Sequence, residues 1–320
     1  APAVAAAALL AERNAPGAVL LVLPSDHGIR DLRAFHRAAA AAVDAACEGY
    51  LVVFGVKPTA PQTGYGYIRR GRKLKGVGAH AVARFVEKPK LPRARAMLKA
   101  GGWLWNAGMF AFAPHRYLAE LGKLAPTIGA AGGRAVERRR DEQGFLWLDR
   151  PAFAKSPAQS VDKAIMEKTL AAAVVPAAMG WSDLGSWDTL WRSLPRDRRG
   201  NVVRGDALLQ DVANSYVSAD GPLIAVLGLN DVTVVGTQDA VLVAARGSEA
   251  GMQEIVARLK SAGREEHRSP REVRRPWGSY MPVDAAPGFQ VKRITVKPGA
   301  SLSLQMHHKR AEHWVVVRGR

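Results

Sequence analysis

The stretch Val19–Val56 constrains the fold more than any other part of the chain. Val19–Leu23 is a short, wholly apolar run that ends at the polar turn Pro24-Ser-Asp-His27. Asp31–Cys47 then places Leu32, Phe35, Ala39, Val43 and Ala46 at helical spacing and is stopped by Gly49, after which Tyr50–Val56 is apolar again. Strand, polar turn, helix, strand is the βαβ unit of an α/β domain. A run such as Val19–Leu23 predicts a central parallel strand buried on both faces. Ligands of such sheets sit at the carboxyl ends of strands, where Asp26 falls. Ala1–Asn14, rich in alanine and leucine, predicts a helix stopped at Asn14-Ala-Pro-Gly17.

The texture changes near residue 200. Asn201–Arg246 has short apolar runs (Leu223–Leu227, Val232–Val235, Ala240–Ala244) broken by Gly, Asn and Asp, the pattern of short strands or rungs. Gly247–Lys260 predicts one more helix and Ser261–Arg275 a charged linker. A strand-rich part opens at Arg275-Pro-Trp-Gly-Ser-Tyr280, with two or three strands expected over Gln290–Val317. The expected domains are therefore 1–199, 200–262 and 263–320.

Composition removes several function classes. No apolar run approaches the roughly 18 residues of a membrane helix. Without a basic segment before Ala1–Leu10 or a secretory cleavage pattern after it, the expectation is a cytoplasmic enzyme. Cys47 is the one cysteine, which excludes an intrachain disulfide and a multi-thiolate zinc site; its alanine-rich helical setting predicts a buried small hydrophobe. The net charge of +18 is scattered over Arg69–Lys75, Arg138–Arg140, Arg196–Arg199 and Arg264–Arg275, read as solvated loops. No helix carries a basic stripe, so nucleic acid is not the expected partner, whereas anionic sugar phosphates and nucleotides suit the surface.

Certain residues bear chemistry. Asp26 puts a carboxylate at a strand mouth, where phosphoryl chemistry holds Mg²⁺, although alone it reads rather as a helix cap. Asp183, inside Gly180-Trp-Ser-Asp-Leu-Gly-Ser-Trp187, supplies the second acidic ligand that a Mg²⁺–triphosphate site wants. Glu87 and Lys88 follow an apolar strand; Glu can accept hydrogen bonds from vicinal hydroxyls and Lys can neutralise a phosphate, unless the two are a surface ion pair. Both can face one ligand only if the strand ends there, as Pro89 suggests. Glu167 and Lys168 form a similar pair after a predicted helix Ser160–Met166. Gly64-Tyr65-Gly66-Tyr67 and Trp105-Asn106-Ala107-Gly108-Met109 suit a sugar ring, or a packed turn. Towards the end, Gln305 and His307 share a strand face and Glu312 comes from the returning strand, the mixed donors of a Zn²⁺-type site; His308 and His313 fall on the other face.

Taken together, these stretches resemble one family, the bifunctional mannose-1-phosphate guanylyltransferase/mannose-6-phosphate isomerases. The resemblance rests on LPSDH (23–27), TGYGYI (63–68), FVEKP (85–89), WNAGMF (105–110), SVDKAIMEK (160–168), GWSDLGSW (180–187), GNVVRGD (200–206), RPWGSY (275–280) and QVKRITVKPGASLSLQMHHKRAEHW (290–314), in family order. It implies a Rossmann-like nucleotidyltransferase domain, a short left-handed β-helical region and the start of a cupin β-barrel. It implies Mg²⁺ on Asp26 and Asp183, with Lys88 on the sugar phosphate. Gly64, Tyr65, Gly66, Glu87, Asn106 and Gly108 would line the mannose site, and Asp162, Glu167 and Lys168 its rim. The partners would be GTP, mannose 1-phosphate and GDP-mannose, with a homo-oligomer left open. In the isomerase part, Gln305, His307 and Glu312 would hold Zn²⁺ or a similar divalent metal.

The family's GxGTR-type phosphate loop does not precede Ala1, the chain stops one residue past the first cupin motif, and Lys309 stands where a third histidine is usual. The expectation is a chain truncated at both ends, with little or no transferase activity as it stands. The competing readings are transfer to another sugar 1-phosphate or from another nucleotide, and a catalytically inactive regulatory homologue.

Overall fold

Leu51–Phe54 is an uninterrupted apolar run with every residue buried, and the main sheet is built around it. The structure, a computed structural model, describes residues 1–142, 144–248, 251–267, 272–302 and 304–319. The chain divides into two units, Ala1–Gly185 and Ser186–Arg320.

The first unit contains strands β1 (Leu20–Val22), β2 (Gly28–Ile29), β3 (Leu51–Val56), β4 (Tyr67–Lys73), β5 (His80–Val86), β6 (Trp103–Phe112), β7 (Arg140–Glu142), β8 (Phe145–Trp147), β9 (Ala172–Pro176) and β10 (Trp181–Ser182). Its helices are α1 (Pro2–Asn14), α2 (Leu32–Cys47), α3 (Leu91–Ala100), α4 (Pro114–Leu124), α5 (Pro126–Glu137) and α6 (Arg150–Ala154). Six strands form a mixed sheet in the order β1-β6-β3-β9-β5-β4, and β4 also pairs with β6. β3 runs parallel to β9 and antiparallel to β6. One face packs Leu51, Val53 and Phe112 against Ala5, Ala8, Tyr117, Leu121 and Ile128 of α1, α4 and α5. On the other, α2 lays Ala38, Ala42, Ala45 and Ala46 on Val52, Phe54, Met109 and Val175. Helices on both faces of the sheet make this an α/β domain.

Several expectations are corrected. Val19–Leu23 does not supply a central parallel strand: β1 ends the sheet order and is antiparallel to β6. The longer β6, nearly all of it buried, takes the place beside β3 and leaves Leu21 and Leu23 exposed. In α2 the buried stripe is the alanine row, and Leu32 is exposed; small side chains let the helix approach the sheet closely. Cys47 is exposed, because one step of about 100° beyond the buried Ala46 turns it off that stripe. Arg69–Lys73 belong to β4 rather than to a loop. Ser160–Met166 is not an ordinary helix but holds a π-helical turn, Asp162–Met166.

The second unit begins with α7 (Trp187–Ser193), followed by β11 (Val202–Gln210), β12 (Tyr216–Leu227), β13 (Val232–Gly236) and β14 (Val241–Ala245). β11, β12 and β13 are successively parallel with no helix between them, the pairing of stacked rungs, and β14 closes antiparallel. Val212, Val217, Val226 and Val234 form the core of the rungs. Arg246 lies 3.7 Å from the centre of the Trp191 ring and pairs with Asp188 and Asp231 at 3.1 and 2.8 Å. α8 (Met252–Ser261) leads to an antiparallel meander of β15 (Val273–Arg275), β16 (Gly278–Ala286) and β17 (Phe289–Val296). The expected linker Ser261–Arg275 thus ends in a strand, and its residues 268–271 lie outside the described ones. Beyond Val296 no described residue belongs to a strand, against expectation. An alternating sequence forms a strand when one face is covered, and Leu304 and Val315–Val317 are 72–102% exposed. No helix among the described residues is long and apolar enough to cross a membrane.

Candidate active site

Gly66, just before β4, lies beside Asn106 in β6: the Asn106 N–H donates to the Gly66 carbonyl at 2.8 Å. A Cβ on Gly66 would stand 2.7 Å from Glu87 Oε2 and 3.2 Å from Asn106 Cβ, so any larger residue would have to push the Glu87 carboxylate aside. Glu87 follows β5 directly, and Lys88 then leaves the strand in the left-handed region with φ 45°. That turn overrides strand alternation and brings Lys88 Nζ to 3.8 Å from Glu87 Oε1.

Asn106 is buried and held at both ends of its amide. Nδ2 donates to Asp162 Oδ1 at 2.8 Å, and Oδ1 accepts the Gly108 N–H at 3.1 Å. The π-helical turn is closed by the Glu167 N–H donating to the Asp162 carbonyl at 2.9 Å, which sets the two carboxylates on successive turns. Glu167 Oε1 in turn accepts the Glu87 N–H at 2.8 Å. Burial raises the pKa of Glu87, and the Asp162 carboxylate adds to this against the pull of Lys88. Burial likewise raises Asp162, opposed by its hydrogen bonds, including those from Asn106 and Ser160.

A second group adjoins the first. β2 and β10 pair antiparallel, with Trp181 opposite Ile29 and Ser182 opposite Gly28. Asp183 follows β10 and Asp26 precedes β2, so the register carries both to the same end of this ribbon. Trp181 Nε1 donates to His27 Nδ1 at 3.1 Å. The Tyr65 ring meets Trp105 and Trp181 edge-on, with centroids 5.1 and 5.3 Å apart. Burial, and then the neighbouring Asp183, push the Tyr65 phenol well above its ordinary range. His27 also lies near β6: a Cβ on Gly108, whose φ is 67°, would be 3.6 Å from His27 Cε1. Asp183 Oδ1 is buried with no hydrogen-bond partner among the described residues. A lone buried carboxylate oxygen is costly unless a cation or donor meets it, so this atom fits a divalent cation.

The fold therefore gathers Gly66, Glu87, Lys88, Asn106, Gly108, Asp162 and Glu167, and sets Tyr65 and the loops of Asp26 and Asp183 beside them. Gly64 precedes Tyr65 and faces open space, with nothing within 4 Å of where a Cβ would lie. Lys168 lines a different cavity of about 370 Å³, with Arg116, Glu120 and Thr169. In the second unit, His307 Nε2 lies 2.9 Å from Glu312 Oε1, and Arg310 bonds both at 2.8 and 3.2 Å. These donors are turned to each other and to Arg310, Gln305 is exposed, and no group of three His, Cys, Asp or Glu converges among the described residues. Of the expected Zn²⁺ donors the structure thus brings His307 and Glu312 together, with Arg310 between them and Gln305 exposed. His27 and Trp181 were not singled out from the sequence; both lie inside motifs that carry a candidate ligand, but only the fold brings them together.

Comparison with known proteins agrees along the chain. Residues 1–199 match the nucleotidyl transferase family, 205–259 the MannoseP isomerase/GMP-like beta-helix domain, and 262–320 the C-terminal domain of mannose-6-phosphate isomerase. The chain is 53% identical over 319 residues to the xanthan biosynthesis protein XanB of Xanthomonas campestris pv. campestris (strain B100), covering all of this chain and 68% of that one. It is 48% identical over 324 residues to the mannose-1-phosphate guanylyltransferase of Escherichia coli (strain K12), with the same coverage. Among solved structures, a mannose-1-phosphate geranyltransferase from Thermus thermophilus superimposes with TM-score 0.68 at 34% identity, over 80% of this chain and 75% of that one. The second unit is accordingly β-helical and then the start of a cupin barrel. The chain belongs to the bifunctional mannose-1-phosphate guanylyltransferase/mannose-6-phosphate isomerase family.

Proposed function

We propose that this protein transfers the guanylyl group of GTP to mannose 1-phosphate, giving GDP-mannose and pyrophosphate in the cytoplasm. The observation that carries the reading is the convergence of Gly66, Glu87, Asn106 and Asp162 beside the paired loops of Asp26 and Asp183. A phosphate oxygen of mannose 1-phosphate bonds to the α-phosphorus of GTP. The bond from that phosphorus to the β-phosphate bridging oxygen breaks, and pyrophosphate leaves with the electron pair.

The chain's contribution is positioning and charge neutralisation. The Glu87 carboxylate accepts hydrogen bonds from sugar hydroxyls, over the space that Gly66 leaves clear. Asn106, fixed between Asp162 and Gly108, sets the floor of that space. Lys88, whose side chain is largely exposed, reaches the sugar phosphate. Asp26 and Asp183 would hold Mg²⁺, which when bound draws charge from the phosphates as a Lewis acid. No isomerase step is derived from Gln305, His307 and Glu312.

The test is pyrophosphate release with mannose 1-phosphate, Mg²⁺ and each of the four nucleoside triphosphates. Release with GTP alone is expected. Silence with every nucleotide would overturn the assignment.

A further inference from the structure

We infer that His27 and Trp181 are positioning residues, whose hydrogen bond fixes the loops of Asp26 and Asp183 against each other and against the sugar-binding strand. The inference rests on the assignment of those two carboxylates to a divalent cation. The β2–β10 ribbon has only two cross-strand pairs, Trp181 with Ile29 and Ser182 with Gly28, and a ribbon so short is marginal by itself. Past its end the Arg30 and Asp31 N–H groups donate to the Met179 carbonyl at 3.2 and 3.1 Å. At the end that carries the carboxylates, the tie is the bond from Trp181 Nε1 to His27 Nδ1 at 3.1 Å, made by rings that meet edge-on with centroids 5.4 Å apart. An indole N–H can only donate, so His27 Nδ1 accepts and the imidazole is set in one orientation.

Each ring is also anchored on its far side. His27 Cε1 stands 3.6 Å from where a Cβ on Gly108 would lie, and the Gly108 N–H is held by Asn106 Oδ1. Trp181 packs edge-on against Tyr65, and Tyr65 adjoins Asp183. Neither ring touches substrate in this scheme. They hold the carboxylates from behind, and a shift of either ring displaces both metal loops together with β6. Groups that orient metal ligands in this way are typically worth about 10–100-fold in metal affinity.

The experiment titrates the protein with Mn²⁺ alone, read by water-proton relaxation, alongside urea denaturation of every variant. Trp181→Phe keeps a ring and removes the N–H, and His27→Leu removes the acceptor; each is expected to weaken Mn²⁺ binding about tenfold or more. His27→Gln, which retains an acceptor, recovers part of the loss, and the double variant Trp181→Phe/His27→Leu is no weaker than either single one. A purely structural role would lower the denaturation midpoint and give no rescue by Gln. If Asp26→Asn and Asp183→Asn abolish Mn²⁺ binding while Trp181→Phe and His27→Leu leave it unchanged, the positioning role is overturned and the metal assignment stands. If the two Asp variants bind Mn²⁺ like the unaltered protein, or that protein binds none, the metal assignment falls and the inference with it.

Discussion

Asn106 and Asp162, 56 residues apart in sequence, are joined by a 2.8 Å hydrogen bond from amide to carboxylate. The bond fastens the π-helical turn to β6, and Glu167, at the other end of that turn, fastens it to the start of the Glu87–Lys88 corner. This cluster is thus tied at three places along the chain, and disturbing one tie disturbs the others.

Replacing Asn106 with Ala removes one donor from the half-buried Asp162 carboxylate, which keeps that of Ser160. A lost partner of this kind costs about 1–3 kcal/mol. Urea denaturation should show that loss, and the KM for mannose 1-phosphate should rise on the order of tenfold, the equivalent of about 1.4 kcal/mol. An unchanged KM would remove Asn106 from the sugar site.

Gly66→Ala should fold and fail. Its Cβ would come within 2.7 Å of Glu87 Oε2, a flexible side-chain end that can swing aside at the expense of the sugar contact. Misplacement by about 1 Å can lower turnover on the order of 100-fold. Steady-state kinetics measure this, and circular dichroism should be unaltered.

Glu87 and Asp162 both have raised pKa values, so between their ordinary values of 4.5 and 3.8 and their folded ones the native state holds more protons than the unfolded chain. Stability without ligand should therefore fall as pH rises through that window and level off above it. Denaturation across a pH series should show this slope, and Glu87→Gln should reduce it. The ionised Glu87 is the better acceptor for hydroxyls, so sugar binding should weaken as pH falls through the same window. A slope unchanged in the Gln variant would exclude Glu87 as its source.

In the second unit Arg246 and Arg199 make ion pairs of different worth. Arg246 is 18% exposed, stacks on Trp191 and meets Asp188 and Asp231, whereas Arg199 and Asp211 are 63% and 64% exposed. Breaking a buried pair costs about 3–5 kcal/mol, but Asp231 is itself mostly exposed and Asp188 keeps Arg192 at 2.7 Å. Arg246→Ala should thus lose roughly 2–3 kcal/mol, and Arg199→Ala less than about 1 kcal/mol. Urea denaturation followed by tryptophan fluorescence separates the two.

What the sequence by itself determined is local. The apolar run Tyr50–Val56 and the alanine-rich segment Asp31–Cys47 could form little other than a buried strand and a helix, and they do, with Asp31 as the helix cap in the structure. The Glu87-Lys88-Pro89 corner was legible because proline and the end of an apolar run stop a strand within a residue or two. What only the tertiary structure decided depends on partners far away in the chain. Val19–Leu23 reads as a central strand, yet β6 lies between β1 and β3, and no periodicity in the run itself states which neighbour it will have. Cys47 is exposed because the buried stripe of α2 is set by the sheet beneath it, and the stretch around Gln305–Val317 stays irregular where no face covers it. The contact of His27 with Trp181 spans 154 residues, and so required the fold to be seen. Short-range sterics and hydrogen bonding write elements into sequence, whereas strand order, helix facing and the meeting of distant side chains follow from which apolar surfaces cover one another.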